Sequence, residues 1–158
     1  MTEQDKHFMM RAVELARQGV DANAGGPFGC VIVKDGKIVG EGSNSVTSTN
    51  DPTAHAEIVA IRDACSNLGT FQLDGCTVYT SCEPCPMCLG AIYWSRPAAI
   101  FYAGTQTDAA GAGFDDEAFY KEIGKPNAER QMPMINLLRE EAQKVFQYWN
   151  DKTDKTEY

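Results

Sequence analysis

Three side chains of the kind that bind a transition metal occur in two short motifs of this 158-residue chain. One motif is His55-Ala56-Glu57, and the other is Pro84-Cys85-Pro86-Met87-Cys88. One imidazole and two thiolates are ligands that hold zinc, and they leave the fourth tetrahedral position to a water molecule. Structural zinc sites use four protein ligands, so the set His55, Cys85 and Cys88 predicts one catalytic zinc ion per chain.

Glu57 follows His55 by two residues, which on a helix places its carboxylate beside the metal without making it a ligand. There it could take a proton from the zinc-bound water, whose pKa the metal lowers. The resulting carboxylic acid could then protonate a substrate ring nitrogen and later a leaving amine. The two motifs therefore predict a hydrolytic site in which Glu57 is the proton carrier.

A second interpretation of the cysteines stays open. Cys82-Glu83-Pro84-Cys85 is an overlapping CxxC motif, so Cys82, Cys85 and Cys88 together could form a structural or redox-active site. Beyond this cluster no fourth cysteine or histidine stands at ligand spacing, because His7 lies in the first predicted helix. The joint occurrence of His-x-Glu and Pro-Cys-x-x-Cys is the signature of zinc-dependent base deaminases. It favours the open zinc site and leaves Cys82 as a buried thiol at the end of a strand.

Composition limits the class of partner. Lys and Arg number 14 against 22 Asp and Glu, which gives a net charge of −8 and no visible basic cluster. Such a chain would repel a phosphate backbone, so we expect a small molecule as partner and neither nucleic acid nor a membrane. The polar start, Met1 to Lys6, contains no signal-peptide core, and we expect a cytoplasmic protein whose six thiols stay reduced.

Hydrophobic spacing predicts the elements that position these motifs. We expect helices over residues 4–19, 55–68, 85–95, 115–123 and 139–150, and strands over 28–33, 38–42, 76–80, 98–102 and 132–137. The Asp-Gly pair in Lys34-Asp35-Gly36-Lys37 is typical of a tight hairpin, and Thr53 is the expected N-cap of the second helix. This order predicts one three-layer α/β domain over residues 1–158, with both metal motifs at helix starts.

The two metal motifs, extended to Thr53–Glu57 and Glu83–Cys88, resemble the cytidine deaminase-like superfamily of zinc-dependent nucleobase deaminases. Further stretches resemble the bacterial guanine deaminases within it: Gly26-Pro27-Phe28-Gly29, Asn50 to His55, Thr80 to Cys85, Ala91-Ile92-Tyr93-Trp94, Gly113-Phe114-Asp115-Asp116 and the end, Glu157-Tyr158. The resemblance covers nearly the whole chain and is weakest over residues 126–150. It implies an α/β/α sandwich around a five-stranded mixed sheet, and hydrolysis of guanine to xanthine and ammonia.

The resemblance also implies roles for residues outside the metal motifs. Asn44 matches a base-binding asparagine, and Phe28 and Trp94 match positions that pack against the base. Asp116 matches a second proton carrier that accepts hydrogen bonds from guanine, with Asp115 as the next choice. Each has an alternative interpretation: Asn44 as a loop residue, Phe28 and Trp94 as ordinary packing, and the aspartates as a helix N-terminus.

Assembly is the last property that the resemblance implies. Residues 115–158 match a segment exchanged between the subunits of a homodimer, and Tyr158 matches a terminal tyrosine that covers the base pocket. The apolar run Ile92-Tyr93-Trp94 independently predicts a surface that one small domain does not bury alone. The alternatives are a monomer and a frayed polar tail.

Other deaminase substrates remain open at this stage. A tRNA adenosine deaminase would share the zinc motifs but needs a basic face, whereas residues 115–158 hold 7 Lys and Arg against 10 Asp and Glu. Cytosine and guanosine stay possible substrates, because neither changes the charge that the site must accept. A structural or redox zinc module is the alternative from another class.

Overall fold

The structure, a computed structural model, describes all 158 residues. The chain begins with helix α1 and a β-hairpin and continues with alternating helices and strands. The elements in chain order are α1 Glu3–Asp21, β1 Gly29–Lys34, β2 Lys37–Ser43, α2 Val46–Thr49, α3 Ala56–Leu68, β3 Thr77–Cys82, α4 Pro86–Ser95, β4 Ala99–Gly104, α5 Gln106–Gly111, α6 Glu117–Ile123 and α7 Arg139–Asp151, with a 3₁₀ turn at Asn127–Glu129. Residues Met1–Asp116 and Glu117–Tyr158 form two compact units.

The sheet lies in the first unit and has the strand order β2-β1-β3-β4. β1 pairs antiparallel with both β2 and β3, and β3 pairs parallel with β4, so the sheet is mixed, as predicted. Asp35 and Gly36 both have positive φ, which confirms the tight hairpin turn. None of the helices has both the length and the apolar composition needed to cross a membrane.

The predicted fifth strand over residues 132–137 is wrong: the sheet has four strands, and this segment has no regular structure. A strand exists only when a neighbour pairs with its backbone, and the second unit, Glu117–Tyr158, holds only helices and turns. Pro133 also lacks the N–H that a ladder needs. Alternating apolar residues such as Ile135 (86% exposed) and Leu137 (80%) produced the strand-like pattern without a partner.

Two short helices lie in segments to which the sequence analysis assigned no regular structure, and one predicted N-cap needs correction. The single-turn helix α2 is closed by Asn50 in the left-handed conformation. In α5, Thr105 and Asp108 form a capping box that starts the helix. The N-cap of α3 is His55, whereas the hydroxyl of Thr53 donates to Asp51.

Close contact between α3 and β2 sets the height above the sheet of α3, the helix that follows His55. A Cβ added at Gly42 would stand 2.3 Å from the backbone oxygen of Ala56 and 2.6 Å from the backbone nitrogen of Ala60. The helix backbone therefore lies directly on this strand, which only glycine permits. Small buried residues on α3, among them Ala56, Ala60 and Ala64, make the same close approach possible.

The two faces of the sheet pack two separate cores. Cys30, Ile32 and Val78 face α3 and α4, in a cluster with Ala56, Ala60, Leu73 and Ile92. Val31, Val33 and Tyr79 face α1, against Phe8 and Ala12. The alternation of strand side chains thus assigns β3 residues 78, 80 and 82 to the face that α3 and α4 cover.

Candidate active site

The metal-type side chains meet between the starts of α3 and α4. His55 is the N-cap of α3, Cys85 is the N-cap of α4, and Cys88 lies in the first turn of α4. Nδ1 of His55 is 3.5 Å from the Sγ atoms of both Cys85 and Cys88, and all three ligand atoms lie within 4.8 Å of one another. Tetrahedral zinc with ordinary Zn–N and Zn–S bonds separates N from S by about 3.6 Å. The donor set and its spacing therefore fit zinc bound through Nδ1.

Hydrogen bonds within the cluster shift the pKa values of all three side chains. A hydrogen bond from the Cys88 thiol, together with contact to His55, lowers the pKa of Cys85 to about 4. The same hydrogen bond and burial raise the pKa of Cys88, and the hydrogen bond with Cys85 raises the pKa of His55. Metal binding would release the protons that these ligand atoms still carry.

Glu57 lies beside this cluster in the first turn of α3 and is only 6% exposed. Burial raises the pKa of its carboxyl group. Thr80 on β3 donates its hydroxyl hydrogen to Oε1 of Glu57 over 3.2 Å, and the carboxyl also contacts Cys88. A buried carboxyl with a raised pKa, next to a metal cluster, has the properties of a group that takes and returns a proton.

Asn44 follows β2 directly, its side chain is buried, and its amide has a fixed orientation. Its Oδ1 accepts hydrogen bonds from the backbone N–H groups of Gly26 (3.1 Å) and Val46 (3.2 Å). The approach is so close that a Cβ added at Gly25 would stand 2.1 Å from this oxygen. Because Oδ1 is used by the backbone, Nδ2 is the group that remains to donate to a ligand.

Phe28 is joined to Asn44 by a backbone hydrogen bond, in which the N–H of Asn44 donates to the carbonyl oxygen of Phe28. The N–H of the next residue, Ser45, donates to the carbonyl oxygen of Ala54, next to His55. The ring of Phe28 is half-buried and meets the ring of Phe114 edge-on, with 4.9 Å between centroids. Phe28, on the loop into β1, and Asn44, on the loop out of β2, are thus joined through the backbone, and the ring of Phe114, which follows α5, packs on that of Phe28.

The structure distinguishes between the two candidate aspartates. Asp116 is half-buried, and burial followed by the charge of Cys85 raises the pKa of its carboxyl group. Asp115 is exposed. Asp116 is therefore the aspartate that lies within electrostatic reach of the metal ligands.

One predicted site residue of the first unit, Trp94, is not brought to this cluster. Trp94 lies at the far end of α4, about 13 Å along the helix axis from Cys85, and its side chain is 67% exposed. Tyr158 belongs to the second compact unit, and its role stays a prediction. Cys82 is a buried thiol at the end of β3, as expected, and lies 3.5 Å from the carbonyl oxygen of Thr105.

Thr80 and Phe114 are site neighbours to which the sequence analysis assigned no role. A signal existed for Thr80: it is a hydroxyl residue at an inward position of a buried strand, between Val78 and Cys82. A buried hydroxyl needs a hydrogen-bond partner, and few other polar residues are predicted to be buried near Thr80. Phe114 stood within the Gly113–Asp116 motif, but its contact with Phe28 depends on tertiary structure.

Comparison with known proteins agrees with this geometry. Guanine deaminase of Bacillus subtilis is 61% identical over 151 residues, covering 96% of this chain and 97% of that protein. Its X-ray structure superposes with a TM-score of 0.94 at 60% identity, over 97% of this chain and 98% of that one. A tRNA-specific adenosine deaminase of Aquifex aeolicus is 42% identical, but only over 85 residues, or 54% of this chain and 56% of that protein.

A family match covers most of the residues that form the site. The cytidine and deoxycytidylate deaminase zinc-binding region matches residues 2–104, which include the hairpin, both metal motifs and the strand between them. His55, Cys85 and Cys88 of that region are also the group whose ligand atoms the fold brings together. The chain therefore belongs to the zinc-binding cytidine and deoxycytidylate deaminase family.

Proposed function

We propose that this chain catalyses the hydrolysis of guanine to xanthine and ammonia. The observation that carries the proposal is the cluster of His55, Cys85 and Cys88 with the buried carboxyl of Glu57 beside it. The high identity to a guanine deaminase, over nearly the full length of both chains, supports guanine as the base. A structural or redox module does not explain a buried proton carrier next to three metal ligands.

Zinc held by His55, Cys85 and Cys88 would lower the pKa of a bound water and so supply the nucleophile at neutral pH. Glu57 then moves two protons. It takes one from the water and gives it to a ring nitrogen next to C2, and it passes the second to the 2-amino group, which leaves as ammonia. Burial raises the pKa of Glu57 above that of an exposed glutamate, which favours its uptake of a proton from the water.

Recognition of the base follows from the hydrogen-bonding capacity of the surrounding side chains. Nδ2 of Asn44 donates to an acceptor of the purine, since Oδ1 is held by Gly26 and Val46. Asp116 accepts from the N1–H or the 2-amino group, which are the donors of guanine near C2, and serves as a second proton carrier. Phe28, supported by Phe114, packs against the flat face of the ring. Asp115 and Trp94 are left without a direct role in this arrangement.

Ammonia release tests the assignment directly. The purified zinc-loaded protein is assayed with guanine, guanosine, adenine, cytosine and a tRNA anticodon stem-loop. We expect guanine to give the highest kcat/KM. Highest activity on the stem-loop would instead identify a tRNA adenosine deaminase, and zinc binding without ammonia from any substrate would identify a structural module.

Self-association is a further part of the proposal: the chain forms a homodimer in which residues 115–158 of one deaminase domain are exchanged with those of the other. Support for the dimer comes from apolar exposure on α4, where Tyr93 is 75% exposed and Trp94 67% exposed. Ile92 of the same predicted surface is buried in the core and contributes nothing to it. Exposed apolar area of this kind marks an interface. We propose no nucleic acid and no membrane as partner, and the cytoplasm as location, where the six free thiols stay reduced.

Sedimentation equilibrium at micromolar concentrations should therefore give twice the 17.3 kDa chain mass. Replacing Trp94 by glutamate places a charge on the exposed apolar surface and should shift the mass towards that of one chain. Replacing Arg17, which lies on α1 and is exposed, by glutamate is the matched control and should leave the mass unchanged. A mass of 17.3 kDa across the whole range would contradict the dimer.

We also propose that Tyr158 acts as a lid that excludes water and a ribose from the base site. Deleting residues 154–158 should then lower guanine turnover, while zinc content and the thermal midpoint stay unchanged. Guanosine is measured alongside, because a lost lid should narrow the difference between base and nucleoside. Unchanged kinetics on both substrates would show that the tail is only solvated.

A further inference from the structure

Thr80 occupies a position that ordinary core packing does not explain. It lies on β3 opposite Cys30 of β1 and is 1% exposed, in a face otherwise filled by apolar side chains and thiols. Its hydroxyl is 3.2 Å from Oε1 of Glu57, which is itself 6% exposed. An ionised carboxylate oxygen can only accept, so the hydroxyl of Thr80 is the donor in this hydrogen bond.

This hydrogen bond makes the two oxygens of Glu57 unequal. Oε1 accepts from Thr80 whether the carboxyl group is ionised or carries its proton on the other oxygen. A proton on Oε1 would make that oxygen the donor, and the buried hydroxyl of Thr80 would have to turn and accept instead. Oε2 is not held by Thr80 and can exchange a proton without this rearrangement, so the geometry assigns the transferred proton to Oε2.

We propose that Thr80 is a positioning residue that holds Glu57 by Oε1, so that Oε2 alone carries both protons of the deamination. In the first transfer an O–H bond of the water breaks, Oε2 takes the proton, and the proton then forms an N–H bond on the ring nitrogen. In the second, the O–H bond of the hydroxyl now on C2 breaks, Oε2 carries that proton to the 2-amino group, and the C2–N bond breaks as ammonia leaves and Glu57 is ionised again. No rotation of the buried carboxyl is needed between the steps. This inference rests on the proposed function, because it concerns the same site.

Thr80→Val tests the proposal, since valine has nearly the same shape and no hydroxyl. We expect kcat for guanine to fall about 10- to 100-fold, the loss typical of removing a hydrogen-bond partner behind an active-site group. KM and zinc content should stay unchanged, because the hydroxyl of Thr80 donates to Glu57 and not to one of the three metal ligands. Thr80→Ser keeps the hydroxyl and should retain most of the wild-type kcat.

Ser81→Ala is the matched control on the same strand. The hydroxyl of Ser81 accepts from the backbone N–H of Gly29 over 2.9 Å and has no contact with Glu57, so its loss should lower the thermal midpoint more than kcat. Equal kcat losses in Thr80→Val and Thr80→Ser, or a wild-type kcat in Thr80→Val, would overturn the positioning role.

An infrared measurement reports on the hydrogen bond without turnover. The difference spectrum of Thr80→Val against wild type should contain a carboxyl band, because Oε1 has lost its donor. The band should vanish when the same comparison is made in the Glu57→Gln background. A missing band, or one that persists in that background, would refute the contact. Such a result leaves the proposed function standing, whereas absence of ammonia release from guanine by the wild type refutes the proposed function and leaves only the contact between Thr80 and Glu57.

Discussion

Replacing Glu57 by glutamine should lower kcat for guanine by about two to four orders of magnitude, the range that a positioned acid–base group contributes. Glutamine has the same shape and can still accept the hydrogen bond of Thr80 through its amide oxygen. It cannot carry a proton between water and substrate, so both transfers fail. Because no buried charge is left unpaired, the thermal midpoint should not fall.

The measurement combines ammonia release with zinc content for each variant. Zinc should stay at one ion per chain, since Glu57 is not one of the three ligands. Glu83→Gln is the control: its carboxyl accepts from the backbone N–H of Gln106, which glutamine can also do, so most of kcat should remain. Turnover at the wild-type rate in Glu57→Gln would show that another group carries the protons.

The centre of the site could be predicted from the sequence because its members are close in the chain or fixed to helix starts. Cys85 and Cys88 are three residues apart in one turn, and Glu57 follows His55 by two. Such local spacing determines which way the side chains point once the helices form. The resemblance to guanine deaminases, confirmed by the comparisons, extended the prediction to Asn44 and Asp116. Their roles stay predictions, although Asp116 lies within electrostatic reach of Cys85.

What the sequence did not predict depends on long-range contacts. The hydroxyl of Thr80 donates to Glu57, 23 residues away in the sequence, and the edge-on contact of Phe114 with Phe28 spans 86 positions. The strand expected over residues 132–137 failed for a related reason, because an alternating pattern records which side chains are apolar but not whether a neighbouring backbone is present to pair. A strand therefore needs both an alternating side-chain pattern and a neighbouring strand to pair with, and the first does not imply the second.

Cys82 and Cys85 show why an overlapping CxxC motif need not form one site. Cys82 ends β3 and is buried, and burial raises the pKa of its thiol, which therefore stays protonated at neutral pH. Cys85 lies three residues later at the start of α4, where contact with Cys88 and His55 lowers its pKa to about 4. The two cysteines of the CxxC motif thus belong to different elements, and only Cys85 and Cys88, at the start of α4, lie together with His55.

Cys85→Ser should therefore remove most of the zinc and with it nearly all guanine turnover. A serine hydroxyl does not ionise near neutral pH, so only His55 and Cys88 would remain as ligands, and two ligands do not hold zinc against a chelator. Metal content after dialysis against a chelator measures the loss.

Cys82→Ser changes the same atom three residues earlier and should keep one zinc per chain after the same dialysis. A hydroxyl at this position can donate to the carbonyl oxygen of Thr105, as the thiol does, so the end of β3 should stay intact. The structural or redox interpretation makes the opposite prediction, because there Cys82 shares the metal with Cys85 and Cys88. If Cys82→Ser loses its zinc while the thermal midpoint of the metal-free protein is unchanged, the assignment of His55, Cys85 and Cys88 as the ligand set is wrong, and Cys82 must replace one of them.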